Sequence, residues 1–269
     1  FLKYILTKNY YIIDILREKN KKNFKLKKLR KKYPKNYKSI FFSNNHQLER
    51  KIKKLKINYF INLATLYKNN HEYNDIFNFI KSNILFPTLI YDLISQKAAK
   101  VINFGSMMQH KSSEKFESKN LYSATKNAFE MISNFYSYKE KNTKFYNLKL
   151  YESFGKNDNR KKLIPTIISN YKTKKTTIIS SKNLELNIIH VNDIINALII
   201  LLNNNIKPGS YCLKNNKNIK ISKLIKNFNK NLKRKIKVKY LKKSVKKIPK
   251  SKIKKLPKWK PDNQIIKKI

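Results

Sequence analysis

The sequence predicts an α/β fold built on a parallel sheet, because short apolar runs alternate with stretches of helical apolar spacing along most of the chain. Its 269 residues are 41% hydrophobic, enough to bury a core in one domain or in a domain with a small lobe, and too apolar for global disorder. No apolar run reaches the roughly 18 residues that cross a bilayer, and a single cysteine, Cys212, makes no internal disulfide. The opening residues lack the basic, apolar and small-residue pattern of a secretory leader, so the cytoplasm is the expected compartment.

Strands are expected over residues 10–16, 38–43, 58–64, 100–105 and 144–150, each short and apolar as a strand buried on both faces should be. Helical patterns fill 46–55, 73–96 and 121–138. In the second of these Phe77, Ile80, Ile84, Leu85, Leu89, Ile90 and Leu93 recur mostly at threes and fours, and Pro87 is predicted to kink or shift the helix. After Leu150 the elements shorten: a helix over 163–171, strands over 177–180 and 186–190, and a helix over 192–202 with Asp193 in its first turn. A strand over 210–213, a helix over 221–228 and a strand over 236–240 follow. Residues 18–35 and 242–258 are Lys-rich and poor in large apolar side chains, so both are expected to be loosely held surface segments. There is no internal repeat. The change of pattern divides the chain into residues 1–155, carrying the sheet, and 156–269, a small lobe interleaved with that sheet and ending in the Lys-rich tail.

With 63 Lys plus Arg against 15 Asp plus Glu, the formal charge is +48, the electrostatic footprint of a polyanion binder. Only Arg17, Arg30, Arg50, Arg160 and Arg234 carry the planar guanidinium that base and phosphate readers favour. Lys, Asn, Ile, Tyr and Phe are inflated together while Gly, Ala, Pro and Arg are depleted, the joint bias of AT-rich coding. The charge therefore reads as compositional drift with generic attraction to polyanions; no specific nucleic-acid partner is expected, and a Lys-rich polyanion-binding protein on the same fold is the alternative.

Tyr122 and Lys126 stand four apart in a helical pattern and project from one face. An ammonium about 4 Å from a phenol contributes roughly 4 kcal/mol at an effective dielectric of about 20, enough to bring the phenol toward neutral titration and proton exchange with a hydroxyl or carbonyl. Spacing alone does not single this pair out. Chance gives about four such pairs in so Lys-rich a chain, and Tyr4 with Lys8 and Tyr171 with Lys175 repeat it. Context does: an apolar strand ending Gly105-Ser106 places a hydroxyl at the sheet's carboxyl edge, and Asn120 stands as the cap of the helix that follows.

The run from Asn120 to Glu130, taken with that strand, resembles the active-site helix of the extended short-chain dehydrogenase/reductase family, in its NAD-dependent nucleotide-sugar epimerase, dehydratase and reductase branch. The resemblance extends in order along most of the chain. Asn62-Leu63-Ala64 is similar to the strand end beside the cofactor, and Asn83 to the helix asparagine. Leu148 to Gly155 resembles the strand and turn near the nicotinamide and sugar, and Asn157 to Pro165 a sugar-nucleotide loop. Ile189 to Asp193 is similar to the Val-x-Asp segment, and Trp259-Lys260-Pro261 to the C-terminal Trp-x-Pro.

The resemblance implies a Rossmann-like sheet with a small C-terminal substrate lobe, NAD or NADP as cofactor, a nucleotide-linked sugar as substrate and pairing into a homodimer. It makes Tyr122 the acid/base, Lys126 the group that lowers its pKa and holds the cofactor ribose, and Ser106 the hydroxyl that orients the reacting oxygen, although a one-residue shift would put Met107 there. Asn62, Leu63, Ala64 and Asn83 fall on the cofactor side, and Met107, Glu152, Arg160 and Lys162 on the substrate side. Met107 and Met108 stand where dehydratases carry an acidic pair, so epimerisation or ketoreduction is expected over dehydration.

One departure stands out. The glycine-rich turn that binds a pyrophosphate is expected after a first strand, yet the only glycines are Gly105, Gly155 and Gly209, and the first residues read as the end of the helix following that turn. A fragment lacking its start, or a degraded and catalytically impaired relative, would both account for this. Arg17, just after the following strand, would meet an adenosine 2′-phosphate. His46, His71, His110 and His190 share no metal-ligand spacing with Cys212, and no metal is expected.

Overall fold

The computed structural model describes residues 2–8, 10–20, 22–110, 117–156, 158, 160, 162–243, 248 and 252–262. They form two compact units, Phe1–Asn58 and Tyr59–Ile269. The sequence division at residue 155 follows the change of pattern, whereas the units follow contacts.

The first unit contains α1 (Leu2–Ile5), β1 (Ile12–Arg17), α2 (Phe24–Lys32), β2 (Tyr37–Phe42) and α3 (Asn45–Lys53). Its strands pair in parallel, Ile12 opposite Tyr37 and Arg17 opposite Phe42. Ile40, Phe42, Leu48 and Ile52 are buried. Helix α2 corrects the expectation of a loosely held segment over 18–35. The Asn23 side chain accepts the Lys25 and Leu26 amides and starts the helix, which buries no residue, so no apolar face announced it.

The second unit begins with β3 (Tyr59–Asn62), α4 (Ile76–Ile80), α5 (Phe86–Ile94), β4 (Lys100–Ser106), α6 (Leu121–Lys139) and β5 (Lys144–Leu150). It continues through β6 (Glu152–Phe154), α7 (Leu163–Lys172), β7 (Thr177–Ile179), β8 (Glu185–Leu186), β9 (Ile188–His190) and α8 (Val191–Asn203). It closes with β10 (Gly209–Leu213), β11 (Ile219–Lys220), α9 (Ile221–Asn229) and β12 (Val238–Tyr240). Four strands make a parallel sheet in the order β10-β5-β4-β3, with Asn62 opposite Asn103 and Ser106 opposite Leu150. In β4, residues 101–106 are all buried, the pattern of a strand covered on both faces. Tyr91 of α5 packs edge-on against Phe129 of α6, ring centroids 4.9 Å apart.

The predicted helix over 73–96 is divided by a π-helical turn, Lys81–Leu85, between α4 and α5. Pro87 has no N–H to give the Asn83 carbonyl one turn earlier and its ring crowds that oxygen, so the turn widens. The predicted strand over 186–190 is likewise split. Asn187 is buried and leaves the ladder to bond Asn215 and Asn218.

Elements after Leu150 gather a core of their own, including Phe154, Ile164, Ile188, Leu224 and Phe228. Three two-stranded pairings, β6–β9, β7–β12 and β8–β11, lie among them. The expectation of a loose segment over 242–258 is also corrected where residues are described; 244–247 and 249–251 lie outside them. The Cys212 amide donates to the Lys254 carbonyl at 2.9 Å, Lys255 bridges Cys212, and Leu256 is buried. Trp259 then donates its indole N–H to the Asp193 carbonyl at 2.8 Å, and the Asp262 amide donates to Asp193 Oδ1 at 2.9 Å. The Val-x-Asp and Trp-x-Pro segments meet at the first turn of α8.

Candidate active site

Helix α6 starts on a reciprocal cap: Asn120 Oδ1 accepts the Ser123 amide at 3.0 Å and Ser123 Oγ accepts the Asn120 amide at 3.1 Å. That start fixes Tyr122 in the first turn and Lys126 one turn later. Lys126 is 3% exposed. Burial lowers its ammonium pKa to about 8, with Glu130, one further turn along, pulling it back up.

The loop leaving β3 is held against this helix by Asn83, buried in the π-helical turn. Its Oδ1 accepts the Leu66 amide at 2.7 Å and the Thr65 hydroxyl at 3.3 Å. Its Nδ2 donates to the Leu66 carbonyl at 3.1 Å and to Thr125 Oγ1 at 2.9 Å. Every polar position of that amide is used, which explains an asparagine buried to 1% exposure.

The same loop brings Tyr67 edge-on to Tyr122, centroids 4.9 Å apart. Burial raises the Tyr122 phenol to about 12 and Tyr67 adds to the rise, while Arg160 and a hydrogen bond with Thr65 pull it down. The sequence expectation of a phenol brought down by Lys126 is reversed here, because loss of solvation outweighs the charges around it and Lys126 is not among the groups that move it. At neutral pH this phenol carries its proton.

Glu152, Arg160 and Lys162, read from the sequence as substrate residues, come together around Tyr67. Lys162 Nζ lies 5.2 Å from the Tyr67 ring centre and 3.5 Å from Glu152 Oε1. That carboxylate oxygen is buried without a hydrogen bond among the described residues, and its contact with Lys162 exceeds the roughly 3.2 Å of a strong N–H···O bond. Arg160 grips Asp158 through two nitrogens, at 2.7 and 2.5 Å, and reaches the Ser153 carbonyl and hydroxyl at 3.3 Å. Asn157, Asn159 and Lys161 of the same loop lie outside the described residues.

Ser106 closes β4, nearly buried, and its Oγ accepts the Met108 amide at 3.2 Å. Asn62 is buried and joins a ladder across three strands, donating to Asn103 Oδ1 at 3.0 Å, with Asn103 donating to Asn147 Oδ1 at 2.9 Å. Leu63 is exposed and Ala64 half-buried just beyond that strand end. Met107 is buried against Tyr151 and Cys212. Arg17 ends β1 in the first unit, opposite Phe42. His110 is buried beside Lys149, 2.8 Å from its Nζ. Among the described residues no cluster of three or more His, Cys, Asp or Glu is arranged to hold a metal, and no helix is long and apolar enough to cross a membrane.

Sequence reasoning missed Thr65, Tyr67, Gln109 and Lys149. Thr65 and Tyr67 follow the recognised Asn62-Leu63-Ala64 within three residues, the one local signal that would have found them.

Residues 1–213 match the family model described as the NAD dependent epimerase/dehydratase family. A CDP-abequose synthase of Yersinia pseudotuberculosis is 31% identical over 144 residues, 53% of this chain, and the match spans half of that relative's length. The fold matches the UDP-glucuronic acid 4-epimerase of Bacillus cereus, solved with UDP-glucuronic acid and NAD, at a TM-score of 0.78 and 15% identity over 98% of this chain and 91% of that one. It also matches the UDP-glucose 4-epimerase of Bifidobacterium longum, solved with NAD+ and UDP, at 0.77 and 16% identity over 98% and 90%.

Proposed function

Because the chain belongs to the NAD-dependent epimerase/dehydratase family, we propose that it acts on a nucleotide-linked sugar as an NAD(P)-dependent 4-epimerase or ketoreductase. The observation that carries this reading is a protonated, part-buried phenol, Tyr122, one helical turn before a buried ammonium, Lys126, on a helix clamped by Asn83 beside the strand end Asn62-Leu63-Ala64.

The residues present fit the ribose side of a nicotinamide nucleotide: Lys126 would supply a buried cation for its hydroxyls, with Leu63 and Ala64 on the cofactor side. NAD(P), when bound, takes or gives the hydride that no side chain can. Tyr122 holds its proton at Oη in the neutral range, which suits donation to a keto oxygen, the reductive direction. Ser106, whose Oγ already accepts the Met108 amide, has its O–H left to donate to the same oxygen. Glu152 Oε1 would accept a sugar hydroxyl, and Arg160 and Lys162 would face the diphosphate. Arg17 is the residue proposed to read a 2′-phosphate, and the cytoplasm the proposed location.

A second copy of the chain is the proposed partner of the apolar side chains left exposed on α4 and α6.

Titration calorimetry of the chain with NAD and with NADP tests the reading, together with Tyr122→Phe. Binding of one cofactor is expected, and the variant should lose turnover of UDP-, CDP- or dTDP-linked sugars about 10²- to 10⁴-fold with its circular dichroism unchanged. Absence of binding to both cofactors, or full turnover by the variant, would remove the enzyme assignment.

A further inference from the structure

Gln109 is polar yet fully buried, and each of its polar atoms is engaged. Its Oε1 accepts the Ser106 amide at 2.7 Å. Its Nε2 donates to Asn127 Oδ1 and to Glu130 Oε2, both at 2.6 Å. Asn127 and Glu130 lie on α6, the helix of Tyr122 and Lys126, one turn beyond Ser123 and Lys126 respectively. Asn127 answers by donating to the Gln109 carbonyl at 3.2 Å.

The far side of this connection is anchored. Glu130 Oε2 lies 3.0 Å from Lys149 Nζ on β5, and Ser210 on β10 donates to Glu130 Oε1 at 3.3 Å. Room for the connection depends on Gly105. A Cβ there would sit 2.7 Å from Gln109 Oε1 and 3.3 Å from Lys149 Cγ, so even alanine would collide with the side chain that holds Ser106.

We infer that Gln109 is a positioning residue, which fixes Ser106 at the end of β4 relative to the helix that carries Tyr122 and Lys126. The inference rests on the reading of Ser106, Tyr122 and Lys126 given above. Only a primary amide of this length offers one acceptor toward Ser106 and two donors toward α6. A hydrocarbon would leave the Ser106 amide and Asn127 Oδ1 without this partner in a buried place and take one of the donors to Glu130. A glutamate would set a second carboxylate against Glu130.

The test is a double-mutant cycle of Gln109→Met and Ser106→Ala, with UDP-, CDP- and dTDP-linked sugars as probes and hydrogen exchange of the segment 104–110 as a second readout. Gln109→Met should lower kcat about 10- to 100-fold, the scale of a misplacement near 1 Å, with KM nearly unchanged. In the Ser106→Ala background the same change should cost nothing further. The Ser106 amide should exchange at least about tenfold faster, while amides of β5 keep their protection. Unchanged kcat in Gln109→Met, or an equal loss in both backgrounds, overturns the inference. Full turnover by Ser106→Ala instead overturns the reading of Ser106, so the two failures are distinct. Should Gln109→Met fail to fold, Gln109→Glu keeps an acceptor for Ser106 and, with one proton at most, cannot donate to both Asn127 and Glu130. Its kcat should fall about tenfold, and wild-type kcat there would equally sink the idea.

Discussion

Burying the Lys126 ammonium carries a cost in stability. Its ammonium titrates near 8 in the folded chain and near the ordinary lysine value of 10.5 when unfolded. Between those values the unfolded chain binds the extra proton, so this group's contribution to stability rises with pH across that window, and its penalty is fully present below about 8. Lys126→Met should therefore be at least as stable as wild type at pH 7, with the difference shrinking toward pH 10. Thermal midpoints of both proteins across that range check it, and a variant less stable at pH 7 with a gap that widens at higher pH would contradict it. Loss of turnover in the same variant would be the usual exchange between activity and stability.

At the scale of elements, the widened turn before α5 positions the loop after β3 against α6. Pro87 removes one helical bond, the helix gains its π turn, and Asn83 faces the loop after β3 and the Thr125 hydroxyl instead of completing a regular helix. Asn83→Ala leaves the Leu66 amide and carbonyl without their buried partner and should cost about 1–3 kcal/mol. Urea unfolding measures this. A cost near zero would mean that water takes over the amide's role. Since the loop holds Thr65 and Tyr67 against Tyr122, a drop in turnover larger than the stability loss explains is also expected.

For the whole molecule, the question is what covers its apolar helix face. Met131, Phe135 and Tyr138 of α6 are 62%, 58% and 76% exposed at a spacing of four and three, and Phe77 on α4 is 69% exposed. With 63 basic against 15 acidic residues, like-charge repulsion opposes association of two copies at low salt, and is screened within about 8 Å near 0.15 M ionic strength. Sedimentation velocity at that salt should show a dimer. Phe135→Glu should weaken it at least about tenfold, since burial of one aromatic ring contributes roughly 1.5–3 kcal/mol. A native monomer at high concentration would rule the partner out.

Apolar periodicity alone marked β4, β5 and α6 to within a residue at their ends, because a strand buried on both faces and a capped amphipathic helix leave local patterns. The order of recognisable segments indicated the family, and Tyr122, Lys126, Ser106 and Asn83 were visible as residues in context. Three features were beyond its reach. Helix α2 buries nothing, so it had no apolar signature. The rise of the Tyr122 phenol depends on a desolvation that only the packed loop around Tyr67 produces. The bond network of Gln109 joins strands and a helix far apart in the chain. Local pattern is set by neighbours in sequence, whereas solvation and hydrogen-bond partners are set by neighbours in space. Tertiary structure alone therefore decided the acidity of the phenol and the support of Ser106.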